Sequence, residues 1–264
     1  MIYRTVPPSI KLKDYIRCFW FLESDQAYTH YGMADVCPEL VFHYKGQFDE
    51  IDEQGSRKPS FLSGINGPTN QTSKFVIDSG FGMFGVYLYP HTIPLLFGMP
   101  ANELTNQMVA IDLLLKTLGG NLEEQIMNST SDAQRVGIIE NFVQEQLAKT
   151  KTTQLPIFNT LKHIIHSDRT PSVKQLSMDH AVSERQLERQ FSQFTGFSPK
   201  KFIRIARFHH TIQFYGKEYL KLSDIALECG YYDQSHFIHD FNQFAGIGPK
   251  EYFSGKSPNT KWRD

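Results

Sequence analysis

The chain has 264 residues, 40% of them hydrophobic and 21% charged, which excludes a disordered protein and predicts two domains. The formal charge of −1 hides a division: residues 1–155 carry 12 Lys+Arg against 17 Asp+Glu, and residues 156–264 carry 15 against 11 with seven of the ten histidines. A basic C-terminal half beside an acidic N-terminal half suggests a polyanion partner for the second half alone. Residues 1–8 lack the apolar core of a signal peptide, and no apolar run approaches the roughly 18 residues of a membrane span. A cytoplasmic protein without membrane contact is therefore expected. Cys18, Cys37 and Cys229 are odd in number and lack CxxC spacing, so neither a disulfide framework nor a cysteine zinc site is indicated. No metal or other cofactor is expected.

In chain order, residues 15–23, 38–44, 74–78 and 83–89 read as strands, rich in aromatic and β-branched residues and separated by Gly, Pro, Asn and Asp. Short strands at this spacing predict a sandwich or barrel. Gly80, Gly82 and Gly85 match a G-x-G-x-x-G letter for letter, but the following Val86-Tyr87-Leu88-Tyr89-Pro90 alternates like a strand and ends at proline. No helix can open there to face a pyrophosphate, so the glycines are turn and bulge positions. Glu39, His43, Tyr87, Tyr89 and His91 mix polar and aromatic character on these strands and are the candidate ligand-binding residues. A metal site built from His43, His91 and Glu39 is the enzyme alternative, but the paired-histidine spacing that would anchor it is missing. Cys37 lacks an activating context, and no enzymatic reaction is expected.

After Pro100 the apolar period becomes helical, through Ile111, Leu114, Leu115 and Leu118, then Ile138, Ile139, Phe142, Val143 and Leu147. The polar stretch 149–156 ends in proline and reads as a linker between residues 1–148 and 157–264. The expected class is α+β multidomain: a β-rich, cupin-like or barrel N-terminal domain with trailing helices, then an all-α domain.

Within the second domain, residues 191–200 repeat at a spacing of 50 in residues 241–250, with Phe, Gln, Phe, Gly, Pro and Lys at the same offsets. Two copies are too few for a solenoid and indicate a duplicated helix pair. Ser172 with Gln175, and Ser183 with Gln186, have capping-box spacing. Leu187, Phe191 and Phe194 share one face of the second helix, opposite Glu184, Arg185, Glu188 and Arg189. In the second unit Ser223 is the expected cap, with Ile225, Ala226 and Leu227 inward, Gly230 at the turn and Asp233 capping the outer helix. A capped helix held by its predecessor at a fixed turn is the helix-turn-helix arrangement, whose second helix fits a major groove.

Residues 157–255, on Asp224 through Phe237 and Gly246 through Pro249 above all, resemble the double helix-turn-helix domain of AraC/XylS-type bacterial transcription regulators. Residues 1–147 resemble, more loosely, the β-rich domain attached to such modules. The resemblance implies double-stranded DNA as partner, a small-molecule effector, self-association as a homodimer, and two recognition helices joined by a long helix near residues 199–215. A DNA-binding protein without an effector is the alternative. The implied base-reading positions are Arg185, Gln186, Glu188 and Arg189 after the cap Ser183, and Gln234, Ser235, His236 and His239. Lys200, Lys201 and Lys250 are placed for phosphates. The family usually has arginine at the position of His239 and lysine at Asn242, and Asp240 adds negative charge, so the first unit is expected to supply more affinity.

Overall fold

The computed structural model describes residues 1–150, 155–167, 171–217 and 221–255. Positions 151–154 of the expected linker and the end of the chain, 256–264, lie outside the described residues.

Ten strands form two antiparallel sheets: β1 (Ile2–Val6), β2 (Ile16–Ser24), β3 (Tyr28–Gly32), β4 (Glu39–Lys45), β5 (Asp49–Ile51), β6 (Arg57–Pro59), β7 (Ser63–Asn66), β8 (Ser73–Ile77), β9 (Phe81–Leu88) and β10 (Met108–Ala110). The larger has order β1-β2-β9-β4-β7-β10 and the smaller β3-β8-β5-β6. The four expected strands are present within two residues at each end; of the others, β5, β6, β7 and β10 have only three or four residues, too few to give a period.

Alternation on the large sheet sorts its two faces, because successive side chains point opposite ways. Phe19 and Phe21 of β2, Leu40 and Phe42 of β4, and Phe84 and Val86 of β9 form a core with Leu122, Ile126, Ile139 and Phe142. These last residues belong to the helices that follow: α1 (Thr92–Phe97), a 3-10 turn (Ala101–Leu104), α2 (Ile111–Leu115), α3 (Thr117–Met127) and α4 (Asp132–Lys149). On the other face Trp20, Leu22 and Val41 pack toward Phe48, Ile77 and Phe81. Gly85, aligned with both Trp20 and Val41, is required there: a Cβ would lie 2.0 Å from the Trp20 ring. The glycine motif therefore makes room for aromatic side chains within a strand.

The C-terminal part is helical: α5 (Pro156–His166), α6 (Val173–Asp179), α7 (Glu184–Thr195), α8 (Pro199–Ile212), α9 (Leu222–Glu228), α10 (Gln234–Ala245) and α11 (Pro249–Phe253). Helices α7 and α10 lie 50 residues apart, as do Pro199 and Pro249 that open α8 and α11. Gly196 and Gly246 end α7 and α10 with φ of 79° and 72°. Helix α8 packs against α5, α7 and α10. Its Phe202 meets Phe191 of α7 at 5.5 Å and its Phe208 meets Phe241 of α10 at 5.2 Å, both edge to face.

Three local expectations are corrected. Ser183 and Gln186 form the complete capping box, but Ser172 makes only its half: Gln175 Nε2 donates to Asp179 instead. The cap of α9 is Lys221, so Ser223 lies inside the helix, its hydroxyl on Asp224 Oδ1. Leu227 is 78% exposed while Ile225 and Ala226 are buried. Three consecutive residues span about 200° of a helix and cannot all face inward.

Candidate nucleic-acid interface and effector cavity

Both outer helices present their polar faces to solvent. On α7, Arg185, Gln186, Glu188 and Arg189 are exposed, while Leu187 and Phe191 are fully buried and Phe194 nearly so. On α10, Gln234, Ser235 and His239 are exposed, opposite buried Phe237, Phe241 and Phe244. The alternation follows from the helical period, and Ser183 and Asp233 hold the first turns by accepting from Gln186 N and His236 N.

Two residues of the second unit differ from expectation. Asp240 has no exposure: Arg204 of α8 holds it with Nη2 at 2.6 Å and Nε at 3.2 Å. Its charge is spent fastening α10 to α8 and does not oppose a phosphate. His236 is half-buried, its ring edge-on to Tyr231 at 5.2 Å and Nε2 3.7 Å from Asp240 Oδ2. Lys200 and Lys250 are exposed at the starts of α8 and α11, whereas Lys201 lies with Nζ 5.5 Å from the Phe244 ring centre. Burial and nearby Arg204 lower the Lys201 pKa.

A cavity of about 510 Å³ opens between the two sheets and reaches α8, where His209 and Ile212 line it. Of the candidate ligand residues, Glu39, His43 and Tyr87 line it. Tyr89 and His91 do not, because the strand ends at Leu88 and the chain turns toward α5. There Tyr89 Oη bonds His166 Nε2 at 2.7 Å, and the His91 ring stacks on Phe158 at 4.4 Å with Nε2 donating to Asp14 O. The trio His43, His91 and Glu39 is thus divided between two places, and no group of three or more His, Cys, Asp or Glu among the described residues could hold a metal ion.

Glu39 lines the cavity from β4. Tyr87 of β9 and Asn66 of β7 are its cross-strand neighbours, and Trp20 Nε1 donates to its Oε1 at 3.2 Å. Burial first, and then the Asp35 charge, push its pKa up to about 7, against hydrogen bonding from Tyr87, Trp20 and Asn66. Burial holds His30 and His43 at about 4. Trp20, Asp35, Asn66 and His209 were missed in the sequence. Trp20 could have been found by its alternation with Phe19 and Phe21; the others depend on packing between segments distant in the chain, as of His209 on Ala34 and Asp35.

The two halves meet at the ends of the outer helices. Thr105 Oγ1 donates to Gly196 O at 3.1 Å, and Ala34 N donates to Phe244 O at 2.9 Å. His209 Nε2 donates to Ala34 O at 2.7 Å and lies 3.5 Å from Asp35 Oδ2. Lys162 pairs with Asp14 across the same boundary.

Residues 176–255 match the family model described as a helix-turn-helix domain, and residues 4–110 match a domain of unknown function, DUF6597. The activator RhaR of Escherichia coli is 34% identical over 72 residues, 27% of this chain and 26% of RhaR. The chain therefore matches about a quarter of the length of this curated relative. Among solved structures, ToxT of Vibrio cholerae has a TM-score of 0.49 at 14% identity, covering 96% of this chain and 98% of its own. An AraC-type regulator from Chromobacterium violaceum has 0.34 at 24% identity, covering 37% and 88%. The fold and the two exposed helices define a double helix-turn-helix protein. Residues 176–255 thus carry a helix-turn-helix domain, and part of that stretch is similar in sequence to RhaR.

Proposed function

We propose that the protein is a sequence-specific DNA-binding transcription regulator, with an effector domain in residues 1–148, a linker in 149–156 and a DNA-binding domain in 157–264. The observation that carries this reading is the pair of capped helices α7 and α10, 50 residues apart, each anchored by a phenylalanine contact to α8 and each polar on its free face. Such helices enter successive major grooves on one side of a duplex. Arg185 and Arg189 supply bidentate donors for guanine, Glu188 an acceptor for cytosine, and Gln234 an amide for adenine. Lys200 and Lys250 are set for phosphates, which fix register without reading sequence.

In-vitro selection of a binding site, followed by anisotropy titration, tests this. Arg189→Ala should weaken the selected site by about 1–3 kcal/mol and relax the preference at one base. His239→Ala should cost less, since the first unit carries more of the affinity. Unchanged affinity in Arg189→Ala with loss in His239→Ala would reverse that order. Failure to select any site from full-length protein would sink the regulator reading.

The cavity is read as the effector site. It has the volume of small-ligand sites, roughly 300–1,000 Å³, and its rim shares the Ala34–Asp35 segment with the contacts to α8 and α10. A ligand that moved this segment would act directly on the second recognition helix. A regulator without an effector is the alternative, and it predicts an operator affinity that no small molecule alters.

A further inference from the structure

The cavity is lined by Asp35, Glu39 and Glu50 and, among the described residues, by no lysine or arginine. Arg17 is not among the lining residues: its guanidinium is 5.6 Å from the Tyr87 ring centre, donates to Cys37 Sγ at 3.4 Å and interacts with the Asp35 charge, and Lys74 Nζ lies 5.7 Å from the Tyr31 ring centre. The histidines His30 and His43 are held neutral by burial. Asn66 Oδ1 is buried and finds no hydrogen-bond partner among the described residues. Its amide nitrogen belongs beside the Glu39 carboxylate, so the free atom is an acceptor. The carboxylates and the Asn66 oxygen thus ask for a donor. The walls are rings: Trp20, Tyr28, Phe48, Phe61, Phe75 and Tyr87. Ring faces attract cations, most strongly where water is excluded.

We infer that the effector is an organic cation, a protonated or quaternary amine on an apolar body, with its charge beside Glu39 and Asp35 and its body against the aromatic walls. This rests on the reading of the cavity as an effector site. An anionic ligand would add like charge to three carboxylates in a lining that holds no lysine or arginine among the described residues and whose His209 is already engaged by Ala34 O and Asp35. A polyol could satisfy Asn66 but would leave the buried carboxylate uncompensated and the rings without an apolar partner. Binding a cation also favours the ionised form of Glu39. The groups facing that carboxylate are Asp35, Tyr87, Trp20, Asn66 and, through Tyr87, Arg17.

The test uses the full-length chain with Trp262→Phe, which leaves Trp20 as its single indole. It is titrated with benzyltrimethylammonium, phenethylammonium, 3-phenylpropanoate and arabitol, following Trp20 emission and thermal stability. Both cations should change the emission and saturate at concentrations at least tenfold lower than the carboxylate or polyol. Benzyltrimethylammonium carries no exchangeable proton, so near pH 7 its binding should release protons from the protein, seen as a buffer-dependent heat. Glu39→Gln should weaken it tenfold or more and abolish that proton release. Tighter binding of phenylpropanoate or arabitol would overturn the cation assignment and leave the effector reading standing. No response to any of the four would overturn both. The comparison of ligands needs no variant at Glu39, so it stands even if Glu39→Gln folds poorly.

Discussion

The two turn residues Ala181 and Gly230 occupy equivalent places between the paired helices, with φ of 50° and 72°. Alanine in the left-handed region costs on the order of 1–2 kcal/mol, and glycine avoids it. Nothing crowds a Cβ on Gly230, so Gly230→Ala meets only this backbone cost, offset in part by the lower freedom of the unfolded chain, and should cost up to about 1 kcal/mol net. Ala181→Gly should likewise gain only up to about 1 kcal/mol, because glycine adds freedom to the unfolded chain. Urea denaturation of the two variants checks both signs. His43 and His91, 5% and 1% exposed, carry a second residue-scale prediction. Burial lowers both folded pKa values from 6.5 to about 4, so their neutral forms stabilise the fold fully above pH 6.5. Stability should fall as pH drops from 6.5 toward 4, by about 2 kcal/mol per histidine at pH 5. Glu39 works in the opposite sense, since a raised acid favours the fold below its unfolded pKa. Denaturation at pH 7 and pH 5 should show a smaller difference in His43→Phe than in the unaltered chain.

At the scale of elements, α10 is held to α8 by an ion pair whose carboxylate is fully buried, and among the described residues α7 has no such pair. Removing one member of such a pair leaves the other charge unpaired in the interior, at about 3–5 kcal/mol. Arg204→Met should therefore destabilise strongly, because it strands Asp240, and Arg204→Met with Asp240→Leu should recover most of the loss. Chemical denaturation of the single and double variants measures the coupling. Elements were also where the sequence was most legible. The repeat, the caps at Ser183 and Asp233, the left-handed ends at Gly196 and Gly246 and the polar faces of α7 and α10 are local consequences of residue type and period, readable without tertiary contacts. Ser223 and Leu227 were misread because a short helix offers few turns from which to fix its phase. In the sheets, Glu39, His43 and Tyr87 follow from alternation. Tyr89 and His91 extend that alternation past the end of the strand, where packing on α5 takes over.

Over the whole molecule, the N-terminal half grips the C-terminal ends of both outer helices, through Thr105 at Gly196 and through Ala34 at Phe244. Thr105→Val removes a hydroxyl shared between Gly196 O at 3.1 Å and Ala101 O at 3.4 Å, with little change of shape, and should cost about 0.5–1.5 kcal/mol locally. Hydrogen exchange should then quicken around residues 195–198 and leave α10 unchanged. An equal increase at both ends would mean that the clamps open together. None of this long-range docking was visible in the sequence, because Ala34 and Thr105 are ordinary residues whose partners lie 91 or more positions away.

The clamp has a genetic consequence. The relative placement of α7 and α10, set by their common seat on α8, is held from outside as well by the N-terminal contacts at Gly196 and Phe244. On the proposed reading, an operator with one base pair added between the stretches facing α7 and α10 should be rejected by the intact protein and partly rescued by changes at Ala34 or Thr105, so suppressors of a spacing defect would map outside the helix-turn-helix region.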